Sequence, residues 1–251
     1  MKNLKYFFCA FSFVSILFVS CNQQSKNIIT ESTQPLLETK TISLIEEVLT
    51  KEKQDALTPN DVIQSFKAGN MRFMKNDLTA RDHSSQVRKS TKAQYPEAIV
   101  LSCVDSRVPV ENIFDKGIGD IFVARVAGNF VNEDILGSME YACKVAGSKL
   151  ILVMGHENCG AVKSTVDDVQ LGNITNMLAK IKPAIETLEY EGERTSKNKE
   201  FLDLVGENNV LNTIKEIRLN SPILKEMEST GEIKIVGAVY DMDNGEVKFV
   251  N

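Results

Sequence analysis

The segment Ala98–Arg107 reads AIVLSCVDSR and decides the fold of this chain. Its first seven residues are uncharged, mostly apolar and rich in β-branched side chains, which is typical of a buried strand. Similar runs follow at 120–126, 150–154 and 233–240. Helical patterns separate these runs, at 135–146, 174–190 and 207–220, with another short helix starting at 221–222. Strands that alternate with helices predict an α/β fold, with a mostly parallel central β-sheet flanked by helices.

The part of the chain before Ala98 has a helical character. Apolar residues at helical spacing extend from Ile42 to Gln54. Thr58 and Pro59 favour a second helix start, with Thr58 as the N-cap and Pro59 at the first helical position. The stretch 79–91 is polar, and we predict a loop there.

Metal-ligating side chains follow two of the predicted strands. Cys103 ends the first run, and His156 and Cys159 follow the third run, within the sequence GHENCG. Because ligands gather at the carboxyl ends of parallel strands, these side chains are expected at one edge of the sheet. Cys159 also falls where the next helix opens, which favours its thiolate form. Two thiolates and a neutral imidazole leave one zinc position open for water, as catalytic sites do. The sequence therefore predicts one Zn²⁺ per chain.

Two charged residues accompany the first cysteine. Asp105 and Arg107 lie two and four residues beyond Cys103, so both can reach the neighbourhood of the metal. Arg107 can hold Asp105 in a bidentate fork, and the pair can then orient a water molecule on the zinc. Alternatively, Asp105 could become a fourth ligand and close the site. Two thiolates cancel the charge of Zn²⁺, so the pKa of that water should fall less than in an all-histidine site.

Cys143 and the second histidine, His83, are predicted to lie outside the metal site. Cys143 lies in a helical pattern and is predicted to be a small core residue. His83 lies in a polar segment and is predicted to be solvated. The chain of 251 residues has a net charge of -5, and its Lys and Arg residues are spread along it. Nucleic acid is therefore not expected as a partner.

Residues 1–20 predict a secretory signal peptide of the lipoprotein type. Lys2 and Lys5 precede an uncharged, mostly apolar stretch that is short for a membrane span. The stretch ends in Phe18-Val19-Ser20-Cys21, which resembles the lipobox of bacterial lipoproteins, although Phe18 stands in place of the usual leucine. The resemblance implies that Cys21 is lipidated. The alternative is a plain signal peptide in which Cys21 is incidental.

These features predict how the chain is divided and where it acts. Residues 21–40 are expected to form a flexible tether, and residues 41–251 a single catalytic domain. Two or more acyl chains would anchor the protein stably to a membrane. We therefore expect an exported, membrane-anchored lipoprotein whose domain lies on the periplasmic or cell-surface side.

Taken together, the motifs of the folded part resemble the β-class carbonic anhydrases. They agree in order and spacing from about Asp61 to the end: CVDSR (103–107), GDIFVARVAGN (119–129), EYA (140–142) and GHENCG (155–160). The resemblance implies reversible hydration of CO2 to bicarbonate and a proton. It also implies zinc on Cys103, His156 and Cys159, with Asp105 and Arg107 as the catalytic dyad.

The resemblance extends to a substrate pocket. Gln94 matches a glutamine that hydrogen-bonds CO2 or bicarbonate, and Phe122 and Tyr141 match residues that line the apolar part of the pocket. In the family this pocket is completed across a dimer interface, which implies a homodimer or a dimer of dimers.

Two positions depart from the family pattern. Val126 replaces an asparagine. Val100 stands where some members carry the tryptophan of an inhibitory bicarbonate site, which implies that Asp105 stays off the metal.

Three other functions are compatible with parts of this pattern. A cysteine hydrolase could use Cys159 with His156, and it would survive removal of zinc. A non-catalytic zinc-binding lipoprotein would have no use for Asp105, Arg107 and Gln94. A related hydrolase could act on a CO2-like molecule such as CS2 or COS, since access to the pocket decides the substrate.

Overall fold

A five-stranded sheet forms the centre of the computed structural model, which describes residues 43–250. The strands are β1 (Ala98–Ser102), β2 (Ile121–Arg125), β3 (Leu150–His156), β4 (Lys234–Tyr240) and β5 (Val247–Val250). Their order is β2-β1-β3-β4-β5. All neighbours pair in parallel except β4 and β5. The predicted α/β fold with a mostly parallel sheet is thus confirmed, whereas β5 was not predicted.

Helices pack on both sides of this sheet. Those of the described residues are α1 (Lys51–Ala56), α2 (Pro59–Met74), α3 (His83–Lys89), α4 (Val110–Ile113), α5 (Glu133–Glu140), α6 (Gly160–Val166), α7 (Gly172–Leu178), α8 (Lys182–Glu186), α9 (Lys199–Asn220) and α10 (Pro222–Ser229). A π-helical turn, Tyr141–Val145, continues α5. Within residues 43–250, no helix combines the length and the apolar character that a membrane span requires.

The predicted start of α2 is confirmed. The Thr58 side chain accepts a hydrogen bond from the Asp61 backbone N–H, the Asp61 side chain accepts one from Thr58, and Pro59 is the first helical residue. The helix predicted from residue 42 instead begins at Lys51, after its N-cap Thr50. The preceding residues include Ile45, which forms a parallel bridge to Arg81. That pairing satisfies the local backbone and competes with the helix.

Two further predictions were wrong. The polar stretch 79–91 is not all loop, because it contains α3, which Asp82 caps by accepting a hydrogen bond from the Ser85 N–H at 2.9 Å. The polar side chain of Gln86 is buried and donates to the Glu47 carbonyl, so polarity did not indicate exposure. The pattern at 174–190 is divided into α7 and α8, with a turn between them and Pro183 in the first turn of α8.

Side chains from the two faces of the sheet form separate apolar clusters. One contains Val100 and Leu152 and packs against α2 and α4, and the other contains Leu101 and Val153 and packs against α5, α9 and α10. β2, at the edge of the sheet, is only partly buried. In the sheet register Ser102 pairs with Met154. Cys103 and His156 therefore both lie at the carboxyl edge, as predicted.

Candidate metal centre

The structure brings Cys103, His156 and Cys159 together in a buried cluster. Their ligand atoms lie within 4.8 Å of one another, and each residue is at most 5% exposed. The two Sγ atoms are 3.9 Å apart. Two sulfurs at the usual zinc–sulfur distance from one tetrahedral ion would be about 3.8 Å apart. The spacing of the sulfurs therefore fits a zinc ion and excludes a disulfide bond.

A backbone hydrogen bond orients the imidazole of His156. Its Nδ1 lies 2.8 Å from the Glu157 carbonyl oxygen, which can only accept, so Nδ1 carries the proton. Nε2 consequently presents a lone pair, and it is buried without a hydrogen-bond partner. A buried polar atom left unpaired is costly. Bound zinc would remove that cost, and the tautomer is the one that such ligation requires.

A tight turn connects His156, at the end of β3, to Cys159. Asn158 adopts the left-handed conformation, with φ of 54°, which asparagine tolerates better than most residues. The turn ends at Cys159, the N-cap of α6. The predicted position of Cys159 at a helix start is thus confirmed. The chain reverses within three residues, so His156 and Cys159 face the same point.

The two thiols share one negative charge when no metal is bound. The pKa of Cys103 is lowered, chiefly because Cys159 donates a hydrogen bond to its sulfur, and the Gly128 N–H donates a further one. The same hydrogen bond, together with burial, raises the pKa of Cys159. A raised pKa and burial both oppose the use of Cys159 as a hydrolytic nucleophile. The geometry therefore favours the metal site over the cysteine hydrolase.

Asp105 and Arg107 form the predicted bidentate pair. Nε of Arg107 donates to Oδ1 of Asp105 at 2.9 Å, and its terminal nitrogen donates to Oδ2 at 2.8 Å. These bonds hold the pKa of Asp105 well below its usual range. Oδ2 lies 3.9 Å from Nε2 of His156, so the carboxylate faces the cluster without belonging to it.

Arg125, for which no role was predicted, supports the loop after β1. From the end of β2 it donates to three backbone carbonyls, those of Cys103 (2.9 Å), Asp105 (2.9 Å) and Val108 (2.7 Å). A charged residue at the end of an apolar strand was the signal that could have indicated it. Arg125 fixes the path of the segment that carries the first cysteine and the dyad.

The turn after β2 contacts the first cysteine directly. Its Gly128 has φ of 82° and places its N–H 3.4 Å from Sγ of Cys103. Val126, the departure from the family pattern, starts this turn by accepting from the Asn129 N–H, and its side chain packs between two apolar clusters. A valine at 126 is therefore accommodated as a packing residue.

The predicted substrate residues lie elsewhere in this chain. Phe122 and Tyr141 are together, with ring centroids 6.2 Å apart, in a groove along β2 and α5. Gln94 is exposed in another cleft, beside Ile118 and Gly119. Phe122 pairs with Ile99 in the sheet, three residues before the level of Ser102. Within one chain, these residues therefore approach the opposite end of the strands from the cysteines.

Cys143 and His83 lie where they were predicted, in the core and at the surface. Cys143 is buried in the core, and burial raises the pKa of its thiol to about 12. His83 is exposed at the start of α3. Cys21 lies outside the described residues, as do the predicted signal peptide and tether.

Comparison with known proteins identifies the family that this chain matches. The carbonic anhydrase family pattern matches residues 98–247. A carbonic anhydrase of Mycolicibacterium smegmatis is 33% identical over 191 residues, which cover 74% of this chain and 90% of that protein. Carbonic anhydrase 2 of Mycobacterium tuberculosis is 34% identical over 188 residues, 72% of this chain and 88% of that protein.

Solved structures show the same fold. The β-carbonic anhydrase of Coccomyxa, in complex with acetazolamide, has a TM-score of 0.59 at 24% identity, over 76% of this chain and 85% of that one. A tetrameric β-carbonic anhydrase of Sordaria macrospora has a TM-score of 0.58 at 23% identity, over 76% and 96%. On sequence and fold together, this chain belongs to the β class of the carbonic anhydrase family.

Proposed function

We propose that Cys103, His156 and Cys159 bind the catalytic zinc ion of this enzyme, one ion per chain. The enzyme catalyses the reversible hydration of CO2 to bicarbonate and a proton, and β-carbonic anhydrases use zinc for it. The observation that carries the assignment is the buried cluster, with its sulfurs 3.9 Å apart and an unpaired imidazole nitrogen facing them. Zinc held by three protein ligands supplies Lewis-acid activation of a water molecule.

In this proposal Asp105 orients the reacting water. An ionised carboxylate can only accept hydrogen bonds, so a water beside Oδ2 must donate to it. That bond turns a lone pair of the water oxygen towards CO2. Arg107 keeps Asp105 ionised and holds both of its oxygens in place. The dyad therefore positions a nucleophile without itself changing charge.

We further propose that Asp105 remains off the metal and that bicarbonate does not lock the enzyme. The bidentate pair with Arg107 supports this, because Asp105 would have to break it to become a ligand. Val100 at the position of the family's inhibitory tryptophan supports it as well. Saturable, cooperative inhibition by bicarbonate would contradict the proposal.

A second copy of the chain would complete the substrate pocket. Gln94, Phe122 and Tyr141 line clefts separate from the cluster in one chain, and the edge strand β2 is only half-buried. We propose a homodimer, or a dimer of dimers, in which these side chains serve the metal site of the partner subunit. Gln94 would then hydrogen-bond CO2 or bicarbonate, while the two aromatic rings supply its apolar surroundings.

The proposed location is a membrane surface outside the cytoplasm, reached through lipidation of Cys21. The support is the sequence of residues 1–21, in which a short basic segment and an apolar stretch precede the cysteine. Metabolic labelling with palmitate tests it. Wild type should incorporate label, whereas Cys21→Ser should incorporate none, and equal labelling would contradict the anchor.

Purified soluble fragment and two variants test the zinc assignment. We expect wild type to contain one zinc per chain by elemental analysis and to hydrate CO2 in a stopped-flow assay. Cys159→Ser and His156→Ala should lose zinc and activity together. Full activity in either variant would refute the site. The comparisons do not support the non-catalytic lipoprotein or action on CS2 or COS, since the sequence relatives described above are carbonic anhydrases.

A further inference from the structure

A buried asparagine on α9 donates a hydrogen bond to the turn that contacts Cys103. Asn209 is 1% exposed, and its Nδ2 donates to the Gly128 carbonyl at 2.8 Å. The N–H of the same Gly128 points to Sγ of Cys103 at 3.4 Å. Two consecutive hydrogen bonds thus connect a long helix to a proposed zinc ligand through one residue.

The turn needs such support because its conformation is strained for an ordinary residue. Gly128 has φ of 82°, and the following Asn129 is also left-handed, with φ of 42°. A Cβ at position 128 would lie 2.4 Å from Cδ1 of Ile181. There is thus no room at this position for a side chain that could hold the turn by packing. Gly128 therefore has no side chain of its own to hold it, and Asn209 donates a side-chain hydrogen bond to its backbone.

The hydrogen bond from the Gly128 N–H to the sulfur of Cys103 can affect the metal that this sulfur would bind. An N–H that donates to a metal-bound thiolate withdraws charge from the sulfur and fixes its direction. Because two thiolates already cancel the charge of Zn²⁺, the strength of sulfur donation affects how strongly zinc is held and how acidic it remains. Groups that orient metal ligands typically change metal affinity or activity by about 10–100-fold.

Simple packing does not account for Asn209. Its Oδ1 is buried without a hydrogen-bond partner, which costs free energy that an apolar side chain would avoid. Of its neighbours one turn away on the same face of α9, Val205 is buried and apolar and Thr213 is buried and polar. The single polar contact with Gly128 is what distinguishes position 209.

We propose that Asn209 is a positioning residue for the zinc ligand Cys103, acting through Gly128. The inference rests on the proposed zinc assignment. It predicts that loss of the Asn209 amide weakens zinc retention and alters the bond between sulfur and metal, while the fold persists.

The adjacent residue provides a matched control. Asn208 also donates from its Nδ2 to a backbone carbonyl, that of Ala184 at 2.7 Å, and to Oγ1 of Thr187 at 3.1 Å. Asn208→Ala therefore removes an equivalent amide from the same helix without touching the turn at Gly128. Asn209→Ala removes the proposed support, and Asn209→Leu retains a similar volume but has no hydrogen-bond donor.

Zinc release to a chromophoric chelator provides a readout that does not depend on activity. We expect Asn209→Ala and Asn209→Leu to release zinc about tenfold faster than wild type, with Asn208→Ala unchanged. In the cobalt-substituted proteins, the sulfur-to-cobalt charge-transfer band should shift only in the variants at 209.

Each outcome decides the question. If wild type holds no zinc, the proposed function fails. If wild type holds zinc and the variants at 209 release it at the wild-type rate with an unshifted band, only the role of Asn209 fails. Unfolding of both variants at 209 would also overturn that role, because Asn209 would then serve the fold.

Discussion

The ionisation of Asp105 depends on its neighbour Arg107. Hydrogen bonds from the guanidinium and from the Arg107 backbone hold the pKa of Asp105 low, in spite of partial burial. The carboxylate is therefore charged at neutral pH, and its role is directional. His156 depends in a similar way on the Glu157 carbonyl, which assigns its proton to Nδ1 and its lone pair to Nε2.

Arg107→Ala should separate zinc binding from catalysis. We expect zinc content to remain near wild type, because Arg107 contacts no proposed metal ligand through its side chain, whereas kcat/KM should fall about 100-fold. Elemental analysis and stopped-flow CO2 hydration measure the two quantities.

Arg218→Ala is the matched control for that variant. Arg218 makes a bidentate pair with Glu228 at 2.8 Å for both bonds, far along the chain from the cluster. Its loss should leave both zinc content and rate unchanged. A zinc-free Arg107→Ala protein would mean that the dyad builds the site and does not merely orient water.

Among the connecting segments, the turn after β2 is closely constrained. It combines positive φ at Gly128 and Asn129 with close contact to Ile181, and it delivers an N–H to the first cysteine. The segment after β1 is held as firmly, by the three carbonyl contacts of Arg125. These neighbouring segments explain why the cysteine at the end of β1 has one defined direction.

Gly128→Ala should destabilise the protein, in contrast to Gly206→Ala. At 128 the new Cβ meets Ile181 and the backbone is left-handed, so we expect a loss of about 2 kcal/mol or more in the free energy of unfolding. At 206, in α9, a Cβ meets nothing within 4 Å, and alanine should stabilise by about 0.5–1 kcal/mol. Urea unfolding measures both, and equal stabilities would contradict the strain at 128.

A carboxylate at the end of α4 connects three parts of the chain. Asp115 accepts hydrogen bonds from Arg81, Thr79 and Arg72, and its side chain is fully buried. Burial alone would raise its pKa, but the bonds outweigh burial and lower it to about 2. A carboxylate that is more acidic when folded than when unfolded stabilises the fold above the unfolded pKa of about 4.

That stabilisation should disappear as the pH falls from about 4 to about 2. It amounts to about 2 kcal/mol at neutral pH, from the difference between the two pKa values. Asp115→Asn should therefore be less stable than wild type at pH 7, and the difference should shrink below pH 4. Asp55→Asn, which removes an exposed pair with Lys51, should change stability by less than about 1 kcal/mol at any pH. Urea titrations across pH measure this, and a constant difference for Asp115→Asn would contradict it.

For the molecule as a whole, the order of the strands separates the metal cluster from the proposed substrate side chains. Cys103 follows β1 and His156 is the last residue of β3, whereas Gln94 precedes β1 and Phe122 lies near the start of β2. β2 is an edge strand, and the groove beside it exposes Tyr141. A single chain thus has the cluster of Cys103, His156 and Cys159 at the carboxyl edge of the sheet and an apolar groove beside the edge strand β2.

Tyr141→Asp should reduce the oligomer to monomers and lower activity, with zinc retained. The substitution introduces a charge into the groove that we propose a second copy covers, and burying an unpaired charge is costly. Leu171→Asp, at a residue that is 63% exposed outside this groove, is the control and should keep the oligomer. Light scattering coupled to size-exclusion chromatography measures the mass. An unchanged mass for Tyr141→Asp would contradict this interface.

The sequence by itself determined the four parallel strands, the clustering of Cys103, His156 and Cys159, and the pairing of Asp105 with Arg107. Each rests on local information: a run of β-branched residues, or chemically distinctive side chains at fixed spacing. The pairing of Asp105 with Arg107 was predictable because the two residues are two positions apart.

Only the tertiary structure decided the remainder. α3 forms in a polar segment because Ser85 and Gln86 are buried there, and the end of α5 becomes a π-helical turn. The bond from Asn209 to Gly128 joins residues 81 positions apart, and no periodicity encodes it. Strand order, register and packing bring such residues together, and these depend on the whole chain, whereas local propensity depends on a few neighbours.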